Sequence, residues 1–187
     1  MKKIGIIGAM ELEVEELKSQ MEEVCVKEKA SMEFYQGTLN GKEVVVVRSG
    51  IGKVNAAVCT QILVDDFQVE AVINTGIAGS LKAEINIGDI VVSTDALQHD
   101  MDAREFGYPK GQIPQMNVFS FEADETLRKV AAECCKKANP DIQVAATGSD
   151  GEEACSLYRE YLPDILLMDI RMQHRNGTEA LSDVLEH

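Results

Sequence analysis

Four short apolar runs constrain this 187-residue chain most: "KIGIIGAM" at 3–10, "EVVVV" at 43–47, "VEAVIN" at 69–74 and "DILLMDI" at 164–170. Runs this short and this continuous read as strands buried within a sheet rather than as helices. Helical patterns lie between them. "ELEVEELKSQM" sets Leu12, Leu17 and Met21 near one face, and "IGKVNAAVCTQILVDDF" directs Val54, Val58, Ile62 and Leu63 toward a core. "MEFYQGTLNGKEVVVVRSG" is a β-hairpin turning at Asn40-Gly41. "INIGDIVVSTDALQH" is a further strand, and "ADETLRKVAAECCKKANP" is a helix that starts near Asp124 and stops at Asn139-Pro140. Residues 100–121, with Gly107, Pro109, Gly111 and Pro114, form a long irregular loop, and loops of that length more often carry function than not.

The expected fold class is α/β: a central mixed or mostly parallel sheet flanked by helices. From residue 142 the pattern becomes a regular βαβα run: "IQVAATG", "DGEEACSLYREYL", "DILLMDI" and "GTEALSDVLEH". The chain is therefore divided into residues 1–141 and 142–187, the second segment expected to pack on the same sheet.

Charge and cysteine content exclude several classes. The formal charge of −14 leaves no basic surface for nucleic acid or an anionic membrane, and Lys136-Lys137 complement a helix C-terminus instead. The five cysteines are odd in number and show no CxxC or Cys/His spacing, which argues against a disulfide framework or structural zinc and for free thiols in a reducing cytosol. "MKKIGIIGAM" is too short an apolar run for a signal peptide and passes straight into an acidic helix. A cytoplasmic protein without a membrane span is expected.

On pattern alone Glu13 is one of several solvated carboxylates, beside Glu11, Glu15 and Glu16. Its context alters that reading. "IGIIGAMELEV", "SGIGKVNAA", "INTGIAGSL", "GDIVVS" and "HDMDAREFGYPKGQIP" follow one another in an order that resembles the 5′-methylthioadenosine/S-adenosylhomocysteine nucleosidases of the purine nucleoside phosphorylase superfamily, over residues 1 to about 140. The resemblance implies a nucleoside phosphorylase-like core that hydrolyses the N-glycosidic bond of an adenine nucleoside without metal or organic cofactor. It implies Glu13 as the carboxylate that activates water, with Met10 beside it. Ile51 would pack near the ribose and 5′ substituent, and the backbone of Ile77, Ala78 and Gly79 would lie along the nucleoside, where small residues permit close approach. Phe106 and Pro114 would reach across a homodimer interface to cover the partner's 5′-substituent pocket. His99 also falls at a family position, where polar packing is its expected role. No Arg pair suited to phosphate is evident, so water is the expected nucleophile.

The resemblance stops short of the purine side. The family's second half carries an aromatic that stacks on adenine, an "EME"-type Glu that binds the ribose hydroxyls and an "SD" Asp that protonates the base. Residues 140–187 hold no equivalent: Ser149-Asp150 precedes Gly151-Glu152-Glu153, and Ser182-Asp183 lies within the last helical pattern. Impaired activity is the implied consequence. From about 142 onward the chain instead resembles the flavodoxin-like receiver domains of response regulators, through "DGEEA", "PDILLMDIRM" and "NGTEAL". This places Asp169 at the phospho-acceptor position, with Gln173 where that family has proline, and without the acidic pair, Thr/Ser and Lys that would support phosphorylation. A plain polar strand end is the competing reading of Asp169. A non-catalytic chimera, or a signalling module, is the alternative to a nucleosidase.

Overall fold

A computed structural model of the chain describes residues 3–78 and 90–138. The chain divides into two units, Met1–Gly79 and Ser80–His187. Gly79, Asp169 and the whole receiver-like segment lie outside the described residues, as does the junction near residue 141.

In the first unit, five described strands form one sheet: β1 (Ile4–Gly8), β2 (Glu22–Lys29), β3 (Met32–Leu39), β4 (Lys42–Arg48) and β5 (Ala71–Asn74). Their order is β2-β3-β4-β1-β5, with β1 parallel to both β4 and β5 and the β2-β3-β4 pairings antiparallel. The sheet is thus mixed. A 3-10 turn (Glu11–Glu13) and the short helix α1 (Glu15–Ser19) follow β1, and α2 (Lys53–Asp65) crosses from β4 to β5.

The unbroken run Val44-Val45-Val46-Val47 follows from burial on both faces, since successive strand side chains point to opposite sides. Val45 and Val47 join Ile7, Phe34, Cys59, Ile62, Leu63 and Phe67 in one core, whereas Val44 and Val46 join Ile6 and Val14 in the other. Phe34 and Phe67 stack at 5.0 Å between ring centroids within the first core. Burial in that core pushes the Cys59 thiol up to about 11, so it is an inert apolar filler.

The expected hairpin is present: Asn40 and Gly41 both adopt positive φ, 48° and 72°, as a two-residue turn between right-twisted strands requires. Strand β2 was not foreseen. All eight of its residues are exposed and most are charged, so it carries no apolar alternation and is held by main-chain pairing to β3. It begins at Glu22, directly after the segment expected to be the first helix.

That helix is also broken at Val14, whose φ of −128° separates the 3-10 turn from α1. Val14 is fully buried, whereas Leu12, expected on the apolar face, is 72% exposed. In α2, Ile62 and Leu63 are buried as expected, but Val54 and Val58 are exposed and Cys59 takes the third core position. Strand β5, expected to be buried, is half-exposed at Val72 and exposed at Ile73 because it is the outermost described strand on its side.

The second unit is described from residue 90 to 138. Of the strand expected over 85–99, the described residues retain only β6 (Asp95–Ala96), paired antiparallel with β7 (Phe121–Glu122). Between them the long loop is irregular apart from a 3-10 turn, Arg104–Phe106, closed by Gly107 at φ 83°. Helix α3 (Glu125–Ala138) starts where expected: the Leu127 amide donates to Asp124 Oδ1 at 2.8 Å, and Lys136 and Lys137 occupy the last turn. No described helix is long and apolar enough to cross a membrane.

Leu63→Ala is expected to lower unfolding free energy by about 2–5 kcal/mol in a urea titration, because it empties a fully buried site between α2 and β1. Val54→Ala, at an exposed site on the same helix, should stay within about 0.5 kcal/mol.

Candidate active site

Strands β4, β1 and β5 end side by side. Beyond the strands proper, the Ser49 amide donates to Gly8 O at 2.9 Å and the Thr75 amide donates to Ile7 O at 2.9 Å. From β1 the chain fills one side of the sheet through β4, then crosses through α2 to β5 on the other side. The carboxyl end of β1 is therefore a topological switch point, where open α/β sheets leave a crevice for ligands. Three loops border it: residues 9–14, 49–52 and 75–78.

Glu13 sits in the first loop and reaches the third. Its Oε2 accepts the Met10 amide at 2.9 Å, closing the 3-10 turn, and its Oε1 accepts the Ile77 amide at 2.9 Å. The second bond spans 64 residues of sequence. Gly76 makes it possible, because a Cβ there would stand 2.5 Å from Glu13 Oε1 and 2.8 Å from its carboxyl carbon. Gly8 has a matching role beneath the turn, where a Cβ would stand 2.7 Å from Val14 Cγ1.

The Ile77 amide, then the Met10 amide, hold the Glu13 carboxyl below its ordinary range, opposed by partial desolvation and assisted by the Ala9 amide. Glu13 is half-buried, ionised at neutral pH and retains lone pairs beyond these two bonds. Such a group can accept a proton from water or a hydrogen bond from a ligand hydroxyl.

The second loop is held from inside. Ser49 is buried and its Oγ donates to Gly50 O at 2.9 Å, while Asn55 Nδ2 donates to Ile51 O at 2.8 Å. Gly50 and Gly52, at φ 84° and 103°, turn the chain into α2. Ile51 consequently stands out, 75% exposed, and Ile77 does likewise at 77%.

Among the residues singled out from sequence, Glu13, Met10 and Ile77 are joined by hydrogen bonds, Ile51 lies on the neighbouring loop, and exposed Ala78 follows Ile77. Phe106 and Pro114 belong to the second unit: Phe106 is 80% exposed on its 3-10 turn, and Pro114 is half-buried. That turn is braced by Arg104, whose Nε and terminal nitrogen donate to Asp102 at 2.9 and 2.7 Å and hold its carboxyl at about 2. His99 is exposed to solvent. Sequence reasoning missed Gly76, Gly8 and Ser49, whose contributions are space and loop closure; the small residues of "INTGIAGSL" were the available signal for Gly76. Among the described residues no group of three or more His, Cys, Asp or Glu is placed to hold a metal ion.

A sequence model of the phosphorylase superfamily matches residues 3–151. The 5′-methylthioadenosine/S-adenosylhomocysteine nucleosidase of Halalkalibacterium halodurans is 49% identical over 136 residues, 73% of this chain and 58% of that protein. The corresponding Neisseria meningitidis enzyme, solved in complex with methylthio-immucillin-A, superposes with a TM-score of 0.71 at 40% identity, covering 74% of this chain and 60% of that one. The Colwellia psychrerythraea nucleosidase in complex with adenine gives a TM-score of 0.72 at 35% identity, over 99% of this chain and 77% of that one. The chain belongs to the 5′-methylthioadenosine/S-adenosylhomocysteine nucleosidase family of the phosphorylase superfamily. It spans 58% and 60% of the length of the first two of these relatives.

Carboxyl-carbon NMR of Glu13 should titrate below its ordinary 4.5, and Gly76→Ala should move the midpoint up by displacing the carboxylate from the Ile77 amide. A carboxyl depressed in the folded state adds stability above its unfolded pKa, and that stability is lost as pH falls through the folded value. Glu13→Gln should therefore be less stable than the parent near neutrality, with the difference closing as pH falls through the depressed folded value.

Proposed function

We propose that the chain acts as an adenine-nucleoside hydrolase of the methylthioadenosine/adenosylhomocysteine class, with Glu13 as the base that activates water. The observation that carries the reading is the Glu13 carboxylate fixed by the Met10 and Ile77 amides at the carboxyl end of β1. A water beside Glu13 adds to the anomeric carbon as the bond to adenine breaks; its proton passes to Glu13, and the departing base takes its proton from solvent. The ribose carries oxocarbenium character between the two events. The base must be ionised and oriented beforehand, and two amide donors accomplish both.

The other roles follow the family pattern. Met10 binds substrate beside Glu13, Ile51 packs near the ribose and 5′ substituent, and the backbone of Ile77, Ala78 and Gly79 lies along the nucleoside. The exposure of Ile51 and Ile77 supports these roles, since an apolar side chain standing out beside a carboxylate suits a ligand with an apolar arm. Phe106 serves a second copy in a homodimer together with Pro114, and its 80% exposure on a braced turn supports that assignment. The protein works in the cytoplasm, where its free thiols stay reduced.

Diminished activity is part of this proposal, supported by residues 140–187 holding no recognisable counterpart of the ribose-binding Glu or the purine-protonating Asp. Loss of leaving-group protonation alone is worth about 10²–10⁴-fold. Adenine release from methylthioadenosine should exceed the buffer rate, and Glu13→Ala should lower it by about a further 10²–10⁴-fold or to background. The rate should also fall in acid as Glu13 protonates. A parent rate indistinguishable from buffer would remove the proposed activity.

A further inference from the structure

The 3-10 turn that carries Glu13 buries none of its own three residues, so its position depends on tethers to its surroundings. Buried Val14 is one, and Glu13's own two hydrogen bonds are others. Glu11 supplies a further tether. Its Oε1 accepts Lys18 Nζ at 2.7 Å, and its Oε2 lies 3.7 Å from Arg48 Nε.

These partners come from different elements: Lys18 from α1 and Arg48 from the last position of β4, opposite Gly8 in the β1 ladder. The Lys18 side chain is only 11% exposed, and its ammonium stands 4.4 Å from the centre of the Tyr35 ring on β3. A flexible side chain held by burial and a ring face is a firm post for a carboxylate. Both Glu11 and Arg48 also act on Tyr35, the former raising and the latter lowering its phenol pKa, although burial is the largest cause of its upward shift.

We infer that Glu11 is a positioning residue for Glu13: through Lys18 and Arg48 it holds the 3-10 turn where the Glu13 carboxylate meets the Met10 and Ile77 amides. The inference rests on the reading of Glu13 as the base and extends it to the groups that aim the base. The charged or titratable groups around the turn are Glu11 itself, Lys18 from α1, Arg48 from β4, and Tyr35 with its partner Glu33 from β3. Partly exposed ion pairs contribute little to global stability. The effect of this one therefore falls on local geometry.

The Ile77 amide proton reports that geometry without requiring activity. In the full chain its NMR shift should follow Glu13 ionisation, an assignment checked by its loss in Glu13→Gln. In Glu11→Gln the pH-dependent shift of Ile77 should fall to about half or less, with a melting temperature within about 4 °C of the parent. Lys18→Met should act in the same direction. The double variant should do no more than the larger single, because the two side chains work as one unit. Lys29→Met, which removes the 2.5 Å pair with Asp66, is the control and should leave Ile77 unchanged.

Adenine release by the same variants should show kcat lowered about tenfold with KM within about twofold, as expected when a base is misplaced but the ligand is still held. An Ile77 titration in Glu11→Gln identical to the parent overturns the inference, as do additive effects in the double variant or a raised KM at unchanged kcat. If the parent releases no adenine, the hydrolase reading falls, and the Ile77 titration still decides the role of Glu11.

Discussion

Strand β1 pairs in parallel on both sides, with β4 from Ile4↔Val44 to Gly8↔Arg48 and with β5 from Ile4↔Ala71 to Ile7↔Asn74. The rest of the first unit depends on that double pairing. It forces both faces of the central strands to be covered, which explains why the valines of β4 divide between two cores. It also makes three chain reversals converge at one sheet edge. The Glu13–Ile77 hydrogen bond can span 64 residues only because β1 and β5 deliver their ends side by side.

The candidate site follows from backbone donors more than from side-chain chemistry. Two amides orient and acidify one carboxylate, and two glycines leave room for it. A lone carboxylate on a short exposed turn would otherwise rotate freely and titrate as an ordinary glutamate. Here the turn is closed by Met10, joined to the third loop by Ile77 and tied to neighbouring elements through Glu11. The carboxylate is thereby fixed between two loops, and the apolar side chains of Ile51 and Ile77 remain exposed.

Errors in reading the sequence share one cause. Residues whose structural role is set by partners distant in the chain carry weak local signals. Strand β2 looks like solvated charge because only its backbone takes part in the sheet. Leu12 and Val14 are both apolar at the start of a helical pattern, but the turn required to place Glu13 rotates Val14 inward and Leu12 outward. Val54 and Val58 satisfied helical spacing, and Cys59 took the core position because α2 lies on the sheet along a different stripe.

By itself the sequence determined the apolar strands β1 and β4, the Asn40-Gly41 hairpin, the start of α3 at Asp124 and, through ordered motifs, the family; it also singled out Glu13 as a candidate. These are local signals: runs of burial, turn chemistry, a cap and short motifs around one residue type. The tertiary structure alone decided which amides hold Glu13, why residue 76 has no room for a Cβ and which cations meet Glu11. Those facts depend on parallel strands aligning their ends, and that alignment is a property of the folded sheet rather than of any one segment.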